Sequence, residues 1–248
     1  MGTLYLIRHG QASYGEADYD RLSTRGQDQA RAVGHVLAKG RFDAIYAGPL
    51  RRQQQTIELA AAQATTLGAT LPAVQTLPEL AEYPAFEMLQ HLVPRLVAED
   101  PKFAALTSAP TPRLLDDAFH TILRKWSRDE WTVEGVERVS AFVARVRTGL
   151  DRVLRAAGRD GASQRTLASG ASGARIACVT SAGPIGVAVG LTFGIPDERM
   201  VRTSIVIRNA SITELKFRSA GFDWQPDQLS LVTFNLTAHL PEGLDTAR

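Results

Sequence analysis

The stretch Leu4-Tyr5-Leu6-Ile7-Arg8-His9-Gly10 sets an apolar run directly against an arginine, a histidine and a glycine near the start of the chain. It reads as a buried β-strand whose C-terminal end presents His9 beside a fixed cation and then turns. Side chains at such strand ends open into the crevice above an α/β sheet. An imidazole there can act as nucleophile or base. It can equally be a satisfied strand-end histidine with Arg8 solvated, and the tripeptide is too short to choose between the two.

Working outward, strand Thr3–Ile7 leads into a polar loop. Thr24 and Gln27 then have the spacing of a capping box, followed by Ala30, Val33, Val36 and Leu37 at helical intervals and a stop at Gly40. Phe42–Tyr46 reads as a second strand, Gly48-Pro49 as a turn into a helix through Ile57, Leu59 and Ala60, and Ala73–Leu77 as a third strand. Strands alternating with helices predict a parallel sheet covered on both faces. From Leu80 to Trp131 the strand signal disappears and prolines 84, 94, 101, 110 and 112 divide short helical pieces, which predicts an insertion over the functional edge of the sheet. Val136 to Ala157 is helical again, and Gly158 to Gly173, rich in Gly, Ser, Ala and Arg, reads as a mobile surface loop. Ile176–Thr180 is a strongly apolar strand, followed by Ser181-Ala182-Gly183-Pro184 and a helix to Phe193, with further strands expected at Ser204–Arg208, Ser211–Phe217 and Leu229–Asn235. The expected fold is a three-layer α/β/α sandwich with a mostly parallel central sheet, one domain over residues 1–248 with a helical insertion at about 80–131.

With 28 Lys+Arg against 26 Asp+Glu, the net charge of +2 is too balanced for a nucleic-acid or membrane-surface protein, so any anion site must be local. The single cysteine, Cys178, excludes an intramolecular disulfide, which suits a cytoplasmic setting. Inside an apolar strand it reads as a small buried hydrophobe. No stretch approaches the roughly 20 apolar residues of a membrane helix, and Arg8 and His9 interrupt the first apolar run where a secretory leader would continue. Metal-ligand spacings are absent, and no glycine precedes Ser181 as a serine nucleophile elbow would need.

Four further segments bear on His9. Leu22-Ser23-Thr24-Arg25-Gly26 with Gln29-Ala30, Gly48 through Thr56 with its Leu50-Arg51-Arg52-Gln53-Gln54-Gln55, Leu80-Ala81-Glu82, and Val179-Thr180-Ser181-Ala182-Gly183-Pro184-Ile185 follow the opening motif in order. Together with Leu6-Ile7-Arg8-His9-Gly10 they resemble the signature segments of the histidine phosphatase superfamily, which includes the cofactor-dependent phosphoglycerate mutases. The resemblance implies a phosphoglycerate mutase-like fold and a metal-independent, cofactor-free reaction in which His9 attacks phosphorus to form a phosphohistidine. It further implies that Arg8 and Arg52 bind the phosphoryl group, with Gly10 and Ser181 as additional phosphate contacts, and that Glu82 is the general acid. The chemistry agrees: nearby cations disfavour imidazolium and keep a histidine nucleophilic, and guanidinium forks match phosphate oxygens. Glu79 is the rival for the acid. Adjacent helical residues point about 100° apart, so Arg51 is expected at the surface or in an ion pair rather than beside Arg52 in the pocket.

The pattern also breaks. Ser181 stands where the family usually carries a second histidine, Gly15 where the mutases carry a phosphate-binding asparagine, and Ala12 where they carry a hydroxyl. These losses favour a phosphatase acting on a small-molecule phosphomonoester. A phosphoanion-binding protein with little catalysis and a phosphoglycerate-type mutase are the alternatives. His239 is the first candidate to stand in for the missing imidazole, ahead of His35, His91 and His120, for each of which a structural role is expected. The backbone N–H groups after Ser181 are a further expected source of anion binding. The insertion offers Arg95, Lys102, Arg113, Arg124, Lys125 and Arg128 in no evident order, and neither the substrate nor the oligomeric state is legible.

Overall fold

Alternate residues of the first strand enter two different cores. The computed structural model describes residues 1–13, 15–16, 18–160, 173–218, 222 and 228–247. Strand β1 (Gly2–Arg8) sends Leu4 and Leu6 to one side and Ile7 to the other, and β4 (Arg175–Thr180) does the same with Ile176 and Cys178 against Ala177 and Val179. Strands apolar on both faces need a covering layer on each. Here β2 (Ala44–Ala47), β3 (Val74–Thr76), β5 (Ile212–Phe217) and β6 (Leu229–Leu236) complete a six-stranded sheet in the order β3-β2-β4-β1-β5-β6. The first four in that order run parallel; β5 lies antiparallel to β1, and β6 to β5. The sheet is mostly parallel, as expected, with an antiparallel edge.

One face carries α1 (Thr24–Lys39) and α2 (Arg51–Thr66), whose Val33, Leu37, Ile57 and Ala60 cover Ile7, Ile45 and Val179. The two helices lie close because Gly34 has no side chain: a Cβ there would come within 2.6 Å of the Ala60 carbonyl oxygen. The opposite face carries α5 (Val139–Asp160) and α6 (Ala182–Phe193), with α7 (Asp197–Thr203) beyond them. The insertion supplies α3 (Ala85–Glu99), a 3-10 turn over Pro101–Thr107 and α4 (Pro112–Ser127). It joins the α5 side through an aromatic cluster. Tyr83, Trp126 and Phe142 have ring centroids 5.5–6.2 Å apart, and the Trp126 indole N–H donates to the Glu137 carbonyl at 3.0 Å.

Several boundaries differ from expectation, each for a local reason. The N-cap of α1 is Ser23, whose hydroxyl accepts the Gly26 N–H at 3.0 Å; Thr24 is the first helical residue, so no Thr24–Gln27 box forms. The second strand starts at Ala44 rather than Phe42, and α5 starts at Val139 and carries on to Asp160. The expected loop from Gly158 to Gly173 falls largely on residues 161–172, outside the described residues. The expected strand Ser204–Arg208 is a 3-10 turn over Ser204–Val206 that prolongs α7. There the Ser204 hydroxyl donates back to the Val201 carbonyl at 2.6 Å, Ile205 and Val206 are exposed, and only Ile207 reaches the core. A run of three β-branched residues mimicked a strand that has no partner to pair with.

Trp126 is 1% exposed where the insertion meets α5. Trp126→Ala should lower unfolding free energy by about 3–5 kcal/mol. Phe86→Ala on the exposed face of α3 should change it by less than about 0.5 kcal/mol. Urea titration followed by far-UV circular dichroism measures both.

Candidate active site

Strand β1 ends at Arg8, and the next residue turns its ring into the cleft above β4. The His9 N–H donates to the Thr180 carbonyl at 2.9 Å, which ties the ring to the C-terminal edge of the sheet. The imidazole is buried and both its nitrogens are engaged. Nδ1 lies 2.7 Å from the Gly10 carbonyl oxygen, and Arg52 Nε lies 3.1 Å from Nε2. A carbonyl can only accept and a guanidinium can only donate, so the proton sits on Nδ1 and the lone pair on Nε2. Burial, then the Arg52 and Arg8 charges, hold the imidazole pKa well below its ordinary value, against a smaller upward pull from Gly10. His9 is thus neutral, in one tautomer, with Nε2 facing a cation.

Gly10 fixes that ring from the backbone. Its N–H donates to the Thr56 hydroxyl at 3.0 Å, and Thr56 in turn donates to the Arg52 carbonyl at 2.7 Å. A Cβ on Gly10 would meet the Gly26 carbonyl oxygen at 2.3 Å, so the chain passes against α1 where no side chain fits.

The two arginines are held differently. Arg52, in the first turn of α2, ion-pairs with Asp20 and lies over the Tyr19 ring at 5.5 Å. Asp20 also accepts the Arg51 N–H at 2.8 Å, which satisfies an orphan donor at the N-terminus of α2, and Arg51 itself turns outward to pair with Asp18. Arg8 donates to the carbonyls of Ile207 and, at 3.0 Å, Ala247, while its Nε is buried without a partner among the described residues. The segment before Ala247 is itself tied down: the Asn209 N–H donates to the Thr246 carbonyl at 2.9 Å, Gln29 to Leu244 and Thr246, and Arg208 pairs with Asp245.

Glu82 enters from the start of the insertion. Its carboxylate accepts the Gly183 N–H on both oxygens at 3.1 Å and the Tyr83 N–H at 3.1 Å. Burial raises its pKa, and this outweighs the opposing pull of Gly183, Arg52, Tyr83 and Arg8. The backbone before it is pinned from three sides. Thr180 and Gln53 donate to the Leu80 carbonyl at 2.7 and 3.2 Å, and Arg145 of α5 donates to the carbonyls of Glu79 and Ala81 at 2.9 and 3.1 Å. Glu79 points the other way, to Arg152 at 2.7 Å.

Ser181 is fully buried at the N-cap of α6, and its hydroxyl accepts Gln53 Nε2 at 2.8 Å. The Gly183 N–H behind it belongs to Glu82, so this expected anion donor of α6 already holds a protein carboxylate. His239 does not take the vacant imidazole's place: it lies against Ala210, with both ring nitrogens buried and unpartnered among the described residues.

The chain matches the sequence model of the histidine phosphatase superfamily (branch 1) over residues 4–113 and 102–226. It belongs to that superfamily. No curated protein matches it in sequence. Among solved structures, this histidine phosphatase superfamily chain is similar to a mycobacterial glucosyl-3-phosphoglycerate phosphatase complexed with VO3. That likeness has 21% identity, a TM-score of 0.64, and covers 96% of this chain and 100% of the other. It is also similar to a phosphoserine phosphatase mutant from Entamoeba histolytica in complex with phosphoserine, at 19% identity and TM-score 0.59, covering 97% and 100%. At these identities the likeness is one of fold.

Arg8 and His9, adjacent in sequence, thus meet the distant Arg52 and Glu82 in one pocket, with Gly10 beneath the ring and Ser181 behind Gln53. Asp20, Tyr19 and Arg145 escaped the sequence reading; Gln53 and Thr56 entered it only within a motif and Gly183 only among the N–H groups expected to bind an anion, because each acts on a residue many positions away. A faint signal existed for Gly183: a Cβ there would fall 2.0 Å from Glu82 Oε1, so the motif glycine marks where the acid docks.

Nitrogen-15 NMR of the imidazoles should show His9 as the Nδ1–H tautomer, titrating well below an ordinary histidine. Arg52→Met removes a cation that disfavours imidazolium, so the His9 pKa should rise. An unchanged value would show that Arg52 does not set it.

Proposed function

We propose that the protein is a phosphomonoester hydrolase in which His9 Nε2 is the nucleophile, acting on a small-molecule substrate through a phosphohistidine. The observation that carries this reading is the neutral, Nδ1-protonated His9, its lone pair aimed at the Arg52 guanidinium. A phosphoryl group entering there gives Arg52 and Arg8 the oxygens they are shaped to bind, and releases the Nε2 lone pair for attack. Phosphoryl transfer depends mostly on such positioning and charge stabilisation. The N–P bond forms as the P–O bond to the leaving group breaks, and the departing alkoxide takes the proton held by Glu82. Glu82, now a carboxylate, then accepts a proton from the water that attacks phosphorus; the N–P bond breaks and phosphate leaves.

The raised pKa of Glu82 supports its role as an acid, since it retains its proton at higher pH than an exposed glutamate. The outward turn of Glu79 supports the same assignment. The Ser181 oxygen already accepts from Gln53, so its remaining role is to donate its own proton to a phosphoryl oxygen. Gly10 serves the phosphate site through its carbonyl, by orienting the ring. The superfamily membership supports phosphomonoester hydrolysis, and the relatives named above act on sugar-linked phosphoglycerate and on phosphoserine. A lone, buried cysteine suits a cytoplasmic enzyme, and among the described residues no helix is long and apolar enough to cross a membrane.

His9→Ala should abolish phosphate release from a panel of phosphomonoesters assayed without added metal, and should abolish acid-labile phosphate trapped on the protein. Full turnover by that variant would overturn the mechanism. Glu82→Gln should slow alkyl phosphates by about 10²–10⁴-fold, with a much smaller loss for an aryl phosphate whose leaving group needs no proton.

The pH profile follows from the two shifted groups. Attack needs neutral His9, so the acid limb lies at the depressed imidazole pKa. Leaving-group protonation needs protonated Glu82, so activity falls as pH rises through the elevated carboxyl pKa. Glu82→Gln should remove the alkaline limb and leave the acid one.

A further inference from the structure

The insertion's cations are ordered by the fold, and three of the six are used. Arg95 lies over the Trp131 ring at 4.7 Å, Lys125 pairs with Glu130 at 2.6 Å, and Arg128 pairs with Glu198 at 2.7 Å. Lys102 and Arg124 instead line a groove of about 460 Å³ between α4, the 3-10 turn before it and the end of α7. His120 of α4 and Arg202 of α7 face the same space.

The carboxylates beside these groups lie outside the lining and are distant or shared: Glu130, near Arg124, is held by Lys125. Arg124 and His120 make no ion pair among the described residues. Lys102 is 4.0 Å from Asp100, and Arg202 is 4.0 Å from a Glu198 oxygen that Arg128 already holds. The one acid in the lining is Asp117. Leu123 and Ile205 supply an apolar floor. Within the lining itself three permanent cations and a histidine face a single carboxylate, with Asp100, Glu130 and Glu198 beside it; that local excess attracts an anion bearing more than one negative charge, and two guanidinium forks favour phosphate oxygens over a point contact. The volume falls in the range of roughly 300–1,000 Å³ typical of small-molecule sites.

The groove is separate from the site around His9. None of its lining residues is one of the site residues, and none bonds to His9, Arg8, Arg52 or Glu82 among the described residues. Yet the two are close in the fold's wiring: Ser204, between Arg202 and Ile205, acts on Tyr83, the residue after Glu82.

We propose that this groove is a second anion site, binding a small molecule that carries two or more phosphate groups at Lys102, His120, Arg124 and Arg202. Binding is tested without recourse to catalysis, using pyrophosphate on the intact chain with equilibrium dialysis to count bound ligands. Wild type is expected to bind two pyrophosphates per chain. Arg124→Glu/Arg202→Glu, both exposed positions, should lose one of them, its affinity falling at least tenfold, while Arg52→Ala loses the other. Lys39→Glu/Arg41→Glu makes the same change in net charge at exposed positions by the end of α1, on the other face of the sheet, and should keep both.

A single bound pyrophosphate that is lost with Arg52→Ala and unaffected by the groove variant would overturn the proposal. So would equal losses in the groove variant and its charge control, which would mark non-specific attraction. One bound pyrophosphate lost only with the groove variant would support the groove while counting against the site around His9, so the two readings fail separately.

Discussion

The backbone immediately after His9 has no room for a side chain, and the site depends on that crowding. Gly10 runs against Gly26 at the start of α1 and donates to Thr56 of α2, and a Cβ on Gly26 would in turn fall 2.1 Å from the Gln11 carbonyl oxygen. Two helices are thereby locked to the end of the central strand. The same glycine's carbonyl holds the proton of the imidazole on the nitrogen away from the cleft. Ring orientation, tautomer and the approach of Arg52 from α2 all descend from one close packing of backbone on backbone. In the proposed reaction this is preorganisation: Nε2 of His9 is placed before any ligand arrives.

Charge in the pocket is balanced pair by pair. Arg52 faces Asp20, with Tyr19 beneath it, and Glu82 rests on the N-terminal end of α6. A carboxylate at a helix N-terminus is stabilised by the exposed N–H groups and the macrodipole, yet burial still lifts its pKa. A doubly charged phosphate entering beside it adds a like charge and strengthens the hold on the proton further. The serine at position 181 changes this balance relative to a second imidazole, because it brings a donor but no charge. Gln53 takes up the hydroxyl and links it to Leu80, so the position serves as a joint between α2, α6 and the segment that carries the acid.

Much of this was legible in the sequence. Strands β1 and β4 announce themselves as apolar runs, and the alternation of strand and helix before residue 80 forces a parallel sheet. His9, Arg52 and Glu82 stood out because they sit in motifs with a chemical rationale. What escaped was of two kinds. Ile205-Val206-Ile207 has the composition of a strand, but hydrogen bonding from Ser204 back into α7 and the lack of a neighbouring edge made it a turn; composition reports propensity, whereas pairing decides. Asp20, Arg145 and Gln53 are ordinary polar residues whose importance lies in contacts 27 to 128 positions distant. No local pattern encodes such contacts.

Cys178 sits at the middle of the sheet, on β4, paired across to Leu6 on one side and Tyr46 on the other, fully buried and with its thiol pKa pushed up by desolvation. An alkylating reagent can reach it only when the helical layer of α5 and α6 lifts from that face of the sheet. The chain therefore carries its own reporter of global opening: fraying of the insertion or the C-terminal segment leaves the sulfur silent. Its rate of modification at low denaturant measures how often the core between the sheet and that helical layer, beside the strand that ends at His9, comes apart.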